Sequence, residues 1–205
     1  MRIAVVSEVS TLARNTAVVS ALKKHGERIF NAGMRGHDGY ELTYLHTGLM
    51  AGLLLNCGAC ELVVGGCGTG QGFSMSAMMY PGVTCGLLHD PLDGFLFSQI
   101  NDGNCISLAL NKGYGWAGEV GLEQIMNAYF SGSKGAGYPP ERRESQCESR
   151  RLLNALSGKT HHSMEHILTQ IPPEIIRPVL QFPGFMELIK AQGSNTRLVE
   201  TLSQL

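Results

Sequence analysis

Apolar residues fall in short runs separated by stretches of helical spacing. Ile3 to Ser7 predicts a first strand, and helical periodicity follows from about Ser10 to His25. Arg28 to Ala32 reads as a weaker second strand, and Gly33 to Gly39 as a loop with three glycines. A helix over about Leu42 to Asn56 is apolar nearly all round, which predicts burial on every side. Leu62 to Gly65 predicts a third strand, followed by the bend GGCGTGQG at 65–72 and a helix to about Met79. Val83 to Leu88 and Cys105 to Leu110 read as strands four and five, with helices from about Pro91 to Gln99 and from about Ala117 to Phe130. The βαβαβαβαβα order predicts an α/β fold, a mostly parallel sheet with helices on both faces.

The pattern changes after Phe130. SGSKGAGYPPERRESQ, residues 131–146, reads as a linker that becomes charged. From about Glu141 the spacing is helical again, with breaks expected at Gly158, at Pro172-Pro173 and at Pro183-Gly184. No strand pattern appears beyond residue 140. The chain therefore divides into an α/β domain over 1–135 and a linker with a helical extension over 136–205. The extension is too small for a robust core of its own and should pack on the α/β domain or on a partner subunit.

Composition narrows the function classes. The 205 residues carry a formal net charge of −1 without a basic run, so nucleic acid is not an expected partner. Gly48 to Leu55 is the most apolar stretch and is far short of the roughly 20 residues of a membrane span, so no membrane partner is expected. MRIAVVSEV reads as a strand, which leads to an expected cytoplasmic location. The six cysteines are expected to be reduced there, with Cys85 and Cys105 as core residues.

The bend places Cys67 where a strand passes into a helix. In open α/β sheets, ligands bind beyond the carboxyl ends of the strands. Glycines let a ligand approach the backbone, and a thiol near a helix start has its thiolate favoured. Cys67 is thus a candidate base or nucleophile; a small residue packed under a tight turn is the alternative. The spacing is not G-x-G-x-x-G, and no Gly-Lys-Ser/Thr occurs, so neither a dinucleotide site nor a Walker loop is expected.

Cys67-Gly68-Thr69-Gly70-Gln71-Gly72, Pro81-Gly82, His89-Asp90 and Asn101-Asp102-Gly103-Asn104 occur in an order and spacing that resemble the ribose-5-phosphate isomerase type B family, which includes the galactose-6-phosphate isomerase subunits. The resemblance covers about residues 1 to 145 and is most specific from 65 to 110. It implies a Rossmann-like parallel five-stranded sheet and aldose–ketose isomerisation of a small sugar phosphate, without metal or other cofactor. It implies Cys67 as the proton carrier between C1 and C2. Gly68, Gly70 and Gly72 would hold the enediolate oxygen, and Thr69 would lie near the hydroxyls. Glu8, His89, Asn101 and Asn104 would contact the sugar, and Arg142 and Arg143 the phosphate. Two subunits would build each site, so a homodimer or higher homo-oligomer is implied.

The departures bear on substrate. The family's early Asp-His pair falls at Glu8-Val9, its ring-opening histidine at Ile100, its Asp-Tyr-Pro at Thr43-Tyr44-Leu45, and its arginine after strand five at Asn111-Lys112. An open-chain substrate such as a tetrose phosphate would not need the missing histidine. His37 or His46 could replace it. A non-catalytic sugar-phosphate binder is the alternative from another class.

Other clusters have plainer readings. Cys57-Gly58-Ala59-Cys60 ends a helix and precedes a strand, the reverse of a thioredoxin-type setting. HHSMEH at 161–166 lacks a third metal ligand and reads as an exposed helix start. Asp90 suits a helix cap. The nine methionines read as core and interface residues.

Overall fold

The computed structural model describes residues 1–36 and 39–205. Five strands form one parallel sheet in the order β2-β1-β3-β5-β4: β1 Arg2–Val6, β2 Arg28–Asn31, β3 Leu62–Cys67, β4 Cys85–Leu88 and β5 Cys105–Ala109. Side chains alternate across the pleat. Ile3, Val5, Leu62, Val64, Ile106 and Leu108 pack with α1 Asn15–Leu22 and α5 Gly118–Tyr129. Ala4, Val6, Val63, Cys67 and Cys105 face the opposite way, toward α2 Tyr44–Asn56 and α3 Gln71–Ala77. The α/β alternation of the sequence is thus the architecture observed.

The all-round apolarity of α2 has a two-part cause. One side lies on the sheet, and the other is covered by the C-terminal helices: α7 Met164–Leu168, α8 Pro173–Leu180, α9 Phe185–Gln192 and α10 Thr196–Ser203. Val179, Phe185, Ile189, Leu198 and Leu202 join the same buried cluster as Leu49, Leu53 and Leu54. Polar ties fix the docking. The Asn195 amide donates to the Cys57 carbonyl at 3.0 Å, and Arg2 Nη1 donates to the Gln192 carbonyl at 2.9 Å.

Several boundaries differ from expectation, four of them with a bearing on the fold. The first helical stretch splits into a 3-10 segment, Val9–Arg14, and α1. β3 runs two residues further, so Cys67 is its last residue. The fourth helix, α4 Pro91–Leu96, passes into a π-helical turn at Phe97–Asn101 that ends at Asp102, φ 50°. Gly158 does not break its helix: α6 spans Arg143–Thr160. A mid-helix glycine costs about 1 kcal/mol relative to alanine, too little to end a long helix, and the chain turns instead before Ser163, which caps α7.

Residues 131–142 are held against the π turn rather than hanging free. Gly135 and Gly137 amides donate to the Ser98 and Gln99 carbonyls at 2.9 and 3.0 Å, and Lys134 pairs with Asp102 at 3.4 Å. α6 is the opposite case: it has no buried residue, and Leu152, Leu153 and Leu156 are more than half exposed. Among the described residues no helix is long and apolar enough to cross a membrane.

Candidate active site

The bend begins where β3 ends. Cys67 is 7% exposed, so its side chain is largely withdrawn from water. Thr69 Oγ1 lies 3.9 Å from the Cys67 sulfur and accepts the Gln71 amide at 3.3 Å. Gly70 caps α3 with φ 76°, and a Cβ there would lie 2.3 Å from Leu87 Cδ1, so only glycine fits. The carbonyls of the bend point inward. The Cys67 carbonyl accepts from Leu110, the Gly68 carbonyl from Asn111 and Lys112, and the Gly70 carbonyl from Ser107 Oγ. Among the described residues, the amides of Gly68, Thr69 and Gly72 meet no acceptor. The result is a thiol flanked by free N–H donors, a geometry suited to a developing oxyanion.

Neighbouring segments frame this bend. β1 and β3 pair up to Val6↔Gly65, and two residues further on each strand come Glu8 and Cys67. Glu8 is buried, and its carboxylate accepts the Ser10 amide at 3.1 Å and the Ser10 hydroxyl. It therefore caps the 3-10 segment. Asn111 Nδ2 donates to the Ser10 carbonyl at 3.0 Å and closes the far side. Tyr44, in the first turn of α2, brings its ring to 3.1 Å from where a Gly72 Cβ would sit. Its position directly after the Thr43 cap gives no sign of this approach; the missing Cβ of Gly72 does. His89 stands level with Ala109, two strands and so about 10 Å from Cys67. It lines a separate cleft of about 310 Å³ with Lys112 and Tyr114. Asp90 caps α4, as its position suggests, with Oδ1 accepting the Asp93 amide at 2.9 Å.

Asn101 and Asn104 lie at the other end of the sheet. Cys67 is level with Ala109, and Asn104 comes five residues earlier along β5, about 16 Å away. The Asn104 side chain accepts the Thr84 amide and donates to the Gly82 carbonyl, both at 2.8 Å, so it clasps the loop before β4. Asn101 is exposed and lines a cleft of about 370 Å³ with Asp102, Arg150, Asn154 and Ser157. Ile100 offers its carbonyl, which accepts from Arg150 Nη1 at 2.7 Å. Arg150 carried no signal in the sequence beyond its charge; its fold position singles it out. Arg142 and Arg143 are exposed at the start of α6, and Arg142 reaches Ser145. One chain thus brings Cys67, Thr69, the glycine amides and Glu8 together, and holds Asn101, Asn104 and the arginines apart from them.

The remaining cysteines and histidines take structural places. Burial pushes the Cys57 and Cys60 thiols up to about 12, which removes the reactivity a C-x-x-C redox pair needs. All six cysteines are free, and Cys147 is exposed. His162 and His166 stack with centroids 4.4 Å apart, and among the described residues no group of three or more His, Cys, Asp or Glu could hold a metal. Met50 is buried, whereas Met75, Met78 and Met79 form an exposed apolar row on and just beyond α3. His37 lies outside the described residues.

The parallel α/β sheet thus ends its central strand on a largely buried thiol among unpaired amides. The ribose/galactose isomerase family model matches residues 3–146; the chain belongs to that family, and it is an isomerase. Two solved structures are similar end to end. A ribose-5-phosphate isomerase from Vibrio parahaemolyticus is 39% identical with a TM-score of 0.95, covering 100% of this chain and 98% of its own. A 4-deoxy-L-threo-5-hexosulose-uronate ketol-isomerase, solved with a tartrate, is 33% identical with a TM-score of 0.94, covering 100% of both. The Trypanosoma brucei type B ribose 5-phosphate isomerase shares the fold at 17% identity and a TM-score of 0.63, covering 76% of this chain and 97% of its own. No curated protein matches by sequence.

Proposed function

We propose that this isomerase interconverts the aldose and ketose forms of a small acidic sugar that enters as the open chain. Cys67, as thiolate, takes the proton from the carbon next to the carbonyl. The electrons move onto the carbonyl oxygen, and the free amides of Gly68, Thr69 and Gly72 hold the resulting enediolate. Thr69 carries the hydroxyl proton between the two oxygens, and Cys67 returns its proton to the neighbouring carbon. Proton transfer of this kind needs a base and oxyanion donors, and the bend supplies both.

The open-chain part rests on Ile100. A side chain without a proton to give stands where the family resemblance expects the ring-opening group, and its one polar atom nearby, the carbonyl, is occupied by Arg150. The uronate isomerase relative, solved with a hydroxy-dicarboxylate, supports a carboxylate as the acidic group. The pentose phosphate reading is favoured by the relative of higher identity. A second copy completes the site. The 16 Å between Cys67 and Asn104 separates the two halves, and the leucines of α6 and the methionines near α3 offer apolar faces for that copy. Glu8 acts by shaping the mouth, His89 stays outside it in its own cleft, and Asn101 with Arg142 or Arg143 reaches the partner's bend.

The test is deuterium uptake at the carbons flanking the carbonyl, followed by NMR in heavy water with ribose 5-phosphate, a tetrose phosphate and a 5-keto uronate. Uptake with an open-chain substrate, lost in Cys67→Ala, is expected. Fastest turnover of ribose 5-phosphate would sink the open-chain part, and no uptake with any sugar would sink the isomerase reading of the bend.

A further inference from the structure

His46 links the C-terminal helices to the bend. It is the third residue of α2 and forms a capping box with Thr43: Nδ1 accepts the Thr43 amide at 2.9 Å. Nε2 lies 3.2 Å from the Glu174 carbonyl in α8 and donates to it. An imidazole that accepts at one nitrogen and donates at the other is neutral with its tautomer fixed. Both nitrogens are occupied, so His46 is not free to replace the acid/base group missing at Ile100.

Between Thr43 and His46 the chain carries Tyr44, whose ring lies over Gly72, and Leu45, whose carbonyl accepts Ser76 Oγ of α3 at 3.4 Å. The first turn of α2 is therefore tied to α3 on one side and to α8 on the other. Ile175 of α8 adds an apolar contact line with Tyr44, Leu45 and Met75 around a cleft of about 290 Å³. The two full-length relatives span this chain from end to end, C-terminal helices included.

We propose that the C-terminal helices set the geometry of the thiol bend through His46: the His46–Glu174 bond fixes the first turn of α2, which fixes Tyr44 over Gly72. His46 is a positioning residue for proton transfer. The inference rests on the reading of the Cys67 bend as the active site, and it adds a part of the chain that the site does not otherwise include.

Two full-length variants separate the bonds. His46→Gln keeps an acceptor for Thr43 and a donor for Glu174. His46→Glu keeps the cap, at the position where glutamate serves best, and loses the donor. Hydrogen exchange of peptides spanning 68–74 is expected to quicken roughly tenfold in His46→Glu and to stay within about twofold of wild type in His46→Gln. On the substrate found by deuterium uptake, kcat is expected to fall roughly tenfold in His46→Glu with KM within about twofold, and to recover in His46→Gln. Unchanged exchange at 68–74 in His46→Glu overturns the link, whatever the turnover. Restored exchange with lost turnover in His46→Gln overturns the positioning role, because the imidazole itself would then be required. If the wild type takes up no deuterium, the reading of the bend fails and the exchange data still decide the link.

Discussion

The two ends of β5 hold their polar groups in opposite ways. At the Cys67 end, the carbonyls of the bend are tied inward and the amides of Gly68, Thr69 and Gly72 are left open. At the Asn104 end, a side-chain amide is closed on the backbone of Gly82 and Thr84. On the proposed reading, open donors beside a thiol are there for the substrate. A closed asparagine serves the loop itself, and leaves Asn101 and Arg150 as the groups facing the adjoining cleft. Changes at the bend should therefore cost rate, and changes at the clasping Asn104 should cost stability.

The strongest way to break that contrast is to split the site. Cys67→Ala should lower turnover by roughly 10²–10⁴-fold, the usual worth of a positioned base. Asn101→Ala should also impair it, and co-expressing the two should restore about a quarter of wild-type activity, because half of the dimers are mixed and each holds one intact site. No recovery in the mixture would mean that one chain holds the whole site. Gly70→Ala sharpens the first end: a methyl at φ 76° that meets Leu87 should cost about 2 kcal/mol or more and disorder the amides, read as a lower melting temperature with a larger loss of kcat. Asn104→Ala probes the second end. It leaves the Thr84 amide and Gly82 carbonyl without side-chain partners and should cost about 1–3 kcal/mol in urea unfolding. A kcat loss without a stability loss would make Asn104 a substrate ligand instead.

The smallest effect concerns groups at neither end. Cys57, Cys60 and Tyr80 are held protonated by burial, up to about 12, against 9.0 and 10.0 for the free groups. Between those values the unfolded chain loses protons that the folded chain keeps. Stability from these groups is thus whole below about pH 9 and declines as the pH rises toward 12. Urea midpoints that stay flat from pH 9 to 11 would contradict the burial of the pair.

Most of the sheet was legible because its cause is local. Alternating apolar runs and glycine punctuation mark the five strands, and the Cys67 bend stands out by residue type alone. What was not legible depends on partners distant in the chain. Nothing in Glu8-Val9-Ser10 says that the carboxylate turns back on Ser10. Nothing near Asn104 says that its amide closes on Gly82 rather than on a sugar. Gly158 suggested a stop because glycine is a weak helix former, yet the chain continues two residues further, to Thr160. The apolar wrap of α2 was read correctly as burial, but its second cover comes from α8, more than a hundred residues along, where no pairing rule of periodicity reaches.

That second cover has an evolutionary reading. A helix sheathed on both sides cannot give up one sheath without repainting the face beneath it. Any chain of this fold that lacks α7 to α10 must therefore place polar residues where the outer face of α2 meets the C-terminal helices here. The outer face of one internal helix, read in a bare sequence, should tell long-tailed members of the lineage from short ones, even where the tail itself has diverged beyond recognition.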